Sequence, residues 1–452
     1  MPTSDSVTWA GESGTRIPAG ERRTSVPEPV QSDPVPHGPG GTGGTGGTRG
    51  TGGRNAAVPV LRDGAEAVAV ARRLAAHWAA TAVHRDRHRV VPEREMREFG
   101  ASGLAGMTVP AEYGGPGVST RALADVIRAL AAADPSLGQI PQNHFMGVDN
   151  LSWAPPAAKE FFYGELLRGA RFGSAVSERN PGRYELRTSL TPAEGGYRVN
   201  GTKYYSTGAL TADWVRVLAL DPDGGTRLAL VPRDAPGLHI DTDWSAFGQR
   251  VTYSGTTRLD DVFVPAGHVV PWVSDPARSQ LSAAFAQIIH AAVEVGIAEG
   301  AIGELLALAR EGRTPLVRRR PEHLAVLGAA HARVAAARSL VHRAAALVDH
   351  ARALPEPQLP ASQAAFIAVE EAKGRSYEAS VAVTDEVVLL AGADGLDAAL
   401  GLDRHWRNAR THTLHDPVRW KYHHAGDYHL NGRYPRGIER VGTAGPPVAG
   451  GR

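Results

Sequence analysis

Trp214-Val-Arg-Val-Leu-Ala-Leu220, then Asp223-Gly-Gly225, then Arg227-Leu-Ala-Leu-Val231: on this stretch the fold turns. Two β-favouring runs split by a tight-turn signal read as a hairpin. Runs of the same texture cover 197–199, 203–206 and 256–264, with Gly195-Gly196 as a further turn. Together they predict a β domain over 171–278.

Both flanks read differently. Upstream, over 58–170, Val70, Leu74, Trp78 and Ala82 recur every fourth residue and predict a helix over 63–84. Pro92 opens a short helix over 92–102, and Ser119 caps one running through 133 with Leu123, Val126, Ile127 and Leu130 on one face. Helices over 136–153 and 157–167 complete the unit. Downstream, over 279–416, Ala-rich runs predict four long helices: 279–310, 322–351, 358–391 and 397–414. The remainder, 417–452, is a C-terminal segment, and its His-, Tyr- and Gly-rich part to 435 is expected to be irregular. The fold class is therefore α+β: N-terminal helical domain, middle β domain, C-terminal four-helix bundle.

Ten of the sixteen residues from 38 to 53 are Gly, and 1–57 has no sustained apolar pattern, so this tail is expected to be disordered. Lys and Arg total 49 against 47 Asp and Glu, a net charge of +2, which argues against a nucleic-acid partner. Cysteine is absent, which removes disulfides, thiolate metal sites and a Cys nucleophile. No run approaches the roughly 18 apolar residues of a membrane span. With no signal peptide visible, a cytoplasmic protein is expected.

Four groups of residues could carry chemistry. His412 and His415 lie three apart among six histidines between 405 and 429. They read as a polar surface, an acid–base pair, or part of a metal site with Asp416 or Asp427, although the spacing matches no zinc-protease pattern. Asp416 precedes Pro417, where a helix should end; a helix C-terminus would keep His415 charged as a proton store. Phe172–Glu178 and Gly201–Gly208 put small, hydroxyl and aromatic residues on strands, suited to sheet packing or to a flat ligand. Arg313, followed by Arg318, Arg319 and Arg320, reads as a solvated face or a phosphate clamp. Asn143-His144 lies inside a helix, where packing competes with function.

These pieces, in this order and at these lengths, resemble the acyl-CoA dehydrogenase fold. Val109-Pro-Ala-Glu-Tyr-Gly-Gly-Pro-Gly117, Ala175-Val-Ser-Glu178 and Asn200-Gly-Thr-Lys203 are similar to strings of that superfamily. Leu402-Asp-Arg-His-Trp-Arg-Asn-Ala-Arg-Thr-His-Thr-Leu-His-Asp-Pro417 resembles its flavin-dependent monooxygenase branch, that of dibenzothiophene monooxygenases and sulfur-acquisition oxidoreductases. The resemblance implies a two-component enzyme. A flavin reductase supplies reduced FMN, with FAD as the other candidate; a C4a-hydroperoxide formed with O2 then oxygenates a small molecule, organosulfur compounds among the candidates. It assigns proton work to His415, His412 and Asp416, and flavin binding to Ser174, Val176, Ser177, Tyr205, Thr207 and Arg313. Substrate contact falls to Asn143 and His144. It also implies a homotetramer, for which the apolar run 281–308 offers an interface. Asn143, Ser174, Thr207 and Asp394 depart from the branch's pattern. Two further readings remain: an FAD-dependent acyl-CoA dehydrogenase with Asp416 as base, and a non-catalytic, flavin-poor binding protein.

Overall fold

The computed structural model describes residues 57–179, 186–272, 275–314 and 320–435. The tail expected over 1–57 (all but its last residue) and Arg318-Arg319 lie outside the described residues.

The N-terminal layer comprises α1 (Gly64–Ala79), α2 (Ala82–His88), α3 (Glu93–Ala101), α4 (Thr120–Ala133), α5 (Pro135–Leu151) and α6 (Pro156–Leu167). The helix expected over 63–84 is two. The chain leaves helical geometry at Thr81, with φ −120° and ψ 7°. Arg85 of α2 is buried, and its guanidinium reaches Asp134 at 3.0 Å and Glu95 at 3.2 Å. Ser119 caps α4 by accepting from the Ala122 N–H at 3.2 Å.

The sheet contains β1 (Phe172–Ala175), β2 (Ser189–Ala193), β3 (Gly196–Lys203), β4 (Trp214–Leu220), β5 (Thr226–Pro232), β6 (Leu238–Ile240), β7 (Thr257–Pro265) and β8 (Val269–Pro271). Its order is β6-β7-β3-β2-β4-β5-β8, with β1 parallel to β4. The β4–β5 hairpin pairs Trp214 with Pro232 through Leu220 with Thr226. Val215, Val217 and Ala219 pack with Val199, Val231, Val262 and Val264 in a core of the sheet's own. Phe172, Leu228, Leu230 and Val270 face the other way, into the helical core. The strand expected over 203–206 stops at Lys203. There the buried ammonium pairs with Glu178 at 2.6 Å, and two residues on Tyr205 takes φ +56°, which ends extended pairing.

The bundle is α7 (Pro276–Arg310), α8 (Pro321–Arg352), α9 (Leu359–Ala391) and α10 (Asp403–Thr413). The segment expected to be irregular holds a further helix, α11 (Val418–Asn431), closed by Gly432 at φ +65°. Its Tyr and His residues sit at the helix surface, so no apolar stripe announces it.

Two other expectations are corrected. Helices α7 and α8 are both long and apolar enough to span a membrane by length and composition. Most of α7 is buried inside the protein, whereas most of α8 is not. Consequently the run 281–308 is the subunit's own core rather than a free interface. Helix α7 crosses α4 closely enough that a Cβ at Gly296 or Gly300 would stand 2.5 Å from the Arg128 carbonyl oxygen or 2.1 Å from that of Ala132.

Candidate active site

Helix α7 carries His290 and Glu294 one turn apart, facing α9 and α10. Both are polar residues in an otherwise apolar run from Ile288 to Ile297, and both are buried. Helix α10 brings His412 in its last turn, and the chain then leaves the helix at Leu414, placing His415 beside it.

A continuous set of bonds joins them. Glu294 Oε1 accepts from His412 Nδ1 at 3.1 Å and from Lys373 Nζ at 2.5 Å. His412 Nε2 and His290 Nδ1 lie 3.0 Å apart. His415 Nδ1 donates to the His412 carbonyl at 2.9 Å, and its ring centre stands 4.2 Å from that of His290. Below this, Lys421 of α11 pairs with Asp416 at 2.7 Å and with Glu370 at 2.9 Å. The second oxygen of Glu370 accepts from His424 at 2.7 Å.

The electrostatics follow from burial and these partners. Burial alone would raise the Glu294 carboxyl, but Lys373 and His412 hold it below its ordinary value. Burial pushes His412 down, with Glu294 opposing. It pushes His290 down further, aided by the neighbouring imidazoles. His415 is also lowered, by burial of its ring and then by Lys373, although part of the residue is exposed. The charged His415 expected at a helix C-terminus is thus opposed: burial of the ring, then Lys373 and the His412 imidazole, work against the helix end. Burial likewise opposes ionisation of Asp416, yet Lys421 and His415 lower it overall. The structure commits Asp416 to an ion pair, which leaves it a poor free base.

One ring nitrogen from each of His290, His412 and His415 lies within 4.8 Å of the others. Chemically such a set could hold a metal ion or a proton. His412 spends both nitrogens on Glu294 and His290, and His415 spends Nδ1 on a carbonyl. That bonding leaves two free lone pairs rather than three ligands, which suits proton traffic.

A second group forms at the sheet. The Ser174 N–H donates to the Thr207 carbonyl at 3.2 Å, and the Tyr204 N–H to that of Ser177 at 2.9 Å. Ser174, half-buried Val176 and exposed Ser177 therefore lie against 204–207. Thr207 Oγ1 bonds Ser254 at 2.6 Å, Ser254 bonds Thr252 at 2.8 Å, and Thr252 donates to the Gln249 carbonyl at 2.9 Å. The Gln249 N–H in turn bonds Asn408 of α10, one turn before His412. This hydroxyl chain physically couples the sheet group to the helix that carries the imidazoles. The Tyr205 ring is 52% exposed, flanked by Trp244 at 6.4 Å and by the Arg179 guanidinium at 4.9 Å.

The remaining expected residues stand apart. The His144 Nε2–H donates to the Ala105 carbonyl at 2.7 Å, and Nδ1 accepts from the Phe172 N–H at 3.1 Å. Both nitrogens are spent on backbone, so His144 serves the fold. Asn143 Oδ1 accepts weakly from the buried Arg216, at 3.5 Å. Arg313 is exposed in the turn after α7, and Asp394 is exposed in the 3-10 turn Ala393–Leu396.

Three comparisons bear on this geometry. Residues 64–170, 175–262 and 288–420 match the acyl-CoA dehydrogenase N-terminal, middle and C-terminal domains respectively. A dibenzothiophene monooxygenase of Rhodococcus qingshengii is 34% identical over 83% of this chain and 96% of its own length. A probable FMNH2-dependent monooxygenase, SfnC of Pseudomonas putida, is 29% identical over 83% and 98%. The crystal structure of FMN-bound TdsC from Paenibacillus sp. A11-2 superposes with a TM-score of 0.78 at 29% identity, covering 82% of this chain and 98% of that one.

Proposed function

The chain belongs to the acyl-CoA dehydrogenase family, in its flavin-dependent monooxygenase branch, and from this we propose that it oxygenates a small organosulfur compound using reduced FMN and O2. A match running nearly end to end of monooxygenase relatives carries the reading. The dehydrogenase alternative is disfavoured, because its base would be the ion-paired Asp416.

The residues fit a flavin on an observation of their own. Ser206 Oγ and both ends of the Gln249 side-chain amide are buried with no hydrogen-bond partner among the described residues. They lie in the same segments as Tyr205, Thr207 and the hydroxyl chain, and buried polar atoms of this kind call for a polar ligand. Ser174, Ser177 and Thr207 would hydrogen-bond the ring system, Tyr205 would pack on it, Val176 would line it, and Arg313 would meet the phosphate.

When bound, reduced FMN supplies the electrons that activate O2 for transfer of one oxygen atom to a soft sulfur centre. The other oxygen atom leaves as water, so a proton must be delivered where bulk water is kept out. His415 presents the free lone pair of its Nε2, which can take up a proton and then give it up there, and the His412 carbonyl fixes the ring through Nδ1. Substrate contact is assigned to Asn143 rather than to His144, whose two ring nitrogens are both bonded to backbone. A separate flavin reductase is the partner, the assembly a homotetramer, and the compartment the cytoplasm.

The test is oxygen uptake with NADH, FMN and a flavin reductase, using an aromatic thioether. Uptake coupled to sulfoxide or sulfone formation, and absent without the reductase, is expected. Flavin bleaching by an acyl-CoA under argon, with no oxygenated product in air, would overturn the reading.

A further inference from the structure

Among the described residues, Glu294 is the acid whose carboxylate bonds the imidazole cluster. As a carboxylate it can only accept, so the proton in its bond to His412 sits on Nδ1. His412 Nε2 then carries a lone pair, and the 3.0 Å bond to His290 needs the proton on His290 Nδ1. That frees His290 Nε2. His415 donates its own Nδ1 proton to a carbonyl, which frees its Nε2 as well. One carboxylate thus dictates the tautomers of two rings, and the backbone dictates the third. The other oxygen of Glu294, Oε2, is buried without a hydrogen-bond partner among the described residues.

We propose that Glu294, held by Lys373, is the positioning residue of this site, aligning His412 and His290 into a proton wire that ends beside His415. The inference rests on the monooxygenase reading and deepens it. In one direction, a proton arrives at His290 Nε2 and the His290 Nδ1 proton moves to His412 Nε2, leaving His412 doubly protonated against the Glu294 carboxylate. In the other, the His412 Nε2 proton returns to His290 Nδ1 and a proton leaves from His290 Nε2 toward His415. Each ring gains one proton and gives one, so the count balances. The wire loads and unloads one proton beside the reacting centre without opening it to water.

The charged groups that face the wire come from α9, α11 and the turn after α10. Lys373 and Glu370 come from α9, Lys421 from α11, and Asp416 from the turn after α10. Lys421 is satisfied by Asp416 and Glu370, so Lys373 is the cation that answers Glu294.

The test is the ring-nitrogen spectrum of 15N-histidine-labelled, full-length protein, read beside turnover. Signals are assigned by their loss in His412→Asn and His290→Asn. The wild type should show both rings protonated at Nδ1. In Glu294→Gln the two tautomers should become mixed, turnover should fall at least about tenfold, and FMN affinity should stay within about twofold. Glu294→Gln/Lys373→Met keeps the volume and removes both charges, and it is measured if the single variant unfolds. An Nε2–H tautomer at His412 in the wild type would overturn the proposal, as would full turnover in a folded variant. Nδ1–H tautomers in the wild type that become mixed in the variant support the wire even if the wild type oxygenates nothing, an outcome that sinks only the monooxygenase reading.

Discussion

His144 and His415 carry the same side chain in opposite employment. His415 keeps Nε2 free at the site, so His415→Ala removes a proton carrier and little packing. Turnover is expected to fall at least about tenfold, about 1.4 kcal/mol of barrier, with an unchanged melting temperature; full activity would remove the role. His144 is 2% exposed, and burial pushes its pKa down to about 4 from 6.5, against the pull of the Ala105 carbonyl. Protonation at Nδ1 would break its bond from the Phe172 N–H. The sign follows: between these values the unfolded chain binds the proton and the folded one does not. The contribution is therefore whole above about pH 6.5 and lost as pH falls through about 4. It amounts to roughly 3 kcal/mol. Urea midpoints at pH 7.5 and pH 4 should show His144→Asn losing less stability on acidification than the wild type. An equal loss in both would refute the assignment.

Helix α7 shows what single elements reveal and conceal. Its length, its Pro276 start and its end at Arg310 lie close to the expected 279–310, because an Ala-rich run between breakers is a local signal. What it buries is not local. His290 and Glu294 stand over a hundred residues from His412 in the chain, so their meeting depends on how the bundle packs. The available clue was two polar residues four apart in an apolar run, the pattern of a buried polar pair that needs partners. His412, His415 and Asp416, by contrast, were legible because one short string carries all three. Helix α11 was missed because its Tyr and His residues blur the apolar period, and the split at Thr81 because α1 and α2 share one periodicity. The α7–α4 crossing gives the element-scale prediction. A Cβ at Gly300 would press on the Ala132 carbonyl oxygen at 2.1 Å, and backbone cannot step aside as a side chain can. Gly300→Ala is expected to cost about 1–3 kcal/mol, as overpacking does. It should also displace His290 and Glu294, which ride on the same helix. A denaturant midpoint equal to the wild type's would show that the helices part at no cost.

At the scale of the whole molecule, the apolar surface that asks for a partner lies on α8. That helix is apolar enough to span a membrane, yet most of it is uncovered. Ala325, Ala329, Ala332 and Ala336 are exposed at helical spacing, with Leu324 51% exposed beside them. Its opposite face, with Val334, Val341 and Val348, packs into the bundle core. A lipid surface is a poor match for the free face, because Arg338, Arg343 and Arg352 along the same helix pair with Glu299, Glu371 and Asp149 of the protein itself. A helix face of small residues instead allows close approach by a second helix, and the α8 face of another copy offers the same small residues. Light scattering of the full chain at micromolar concentration should therefore give a multiple of the 47.7 kDa subunit, four copies on the present reading. Ala332→Glu puts a charge in the middle of that face and should shift the mass toward the monomer while leaving the circular dichroism spectrum unchanged. A wild-type monomer would remove the assembly. A variant that stays assembled would move the interface to another face and leave the exposed alanines of α8 without a function.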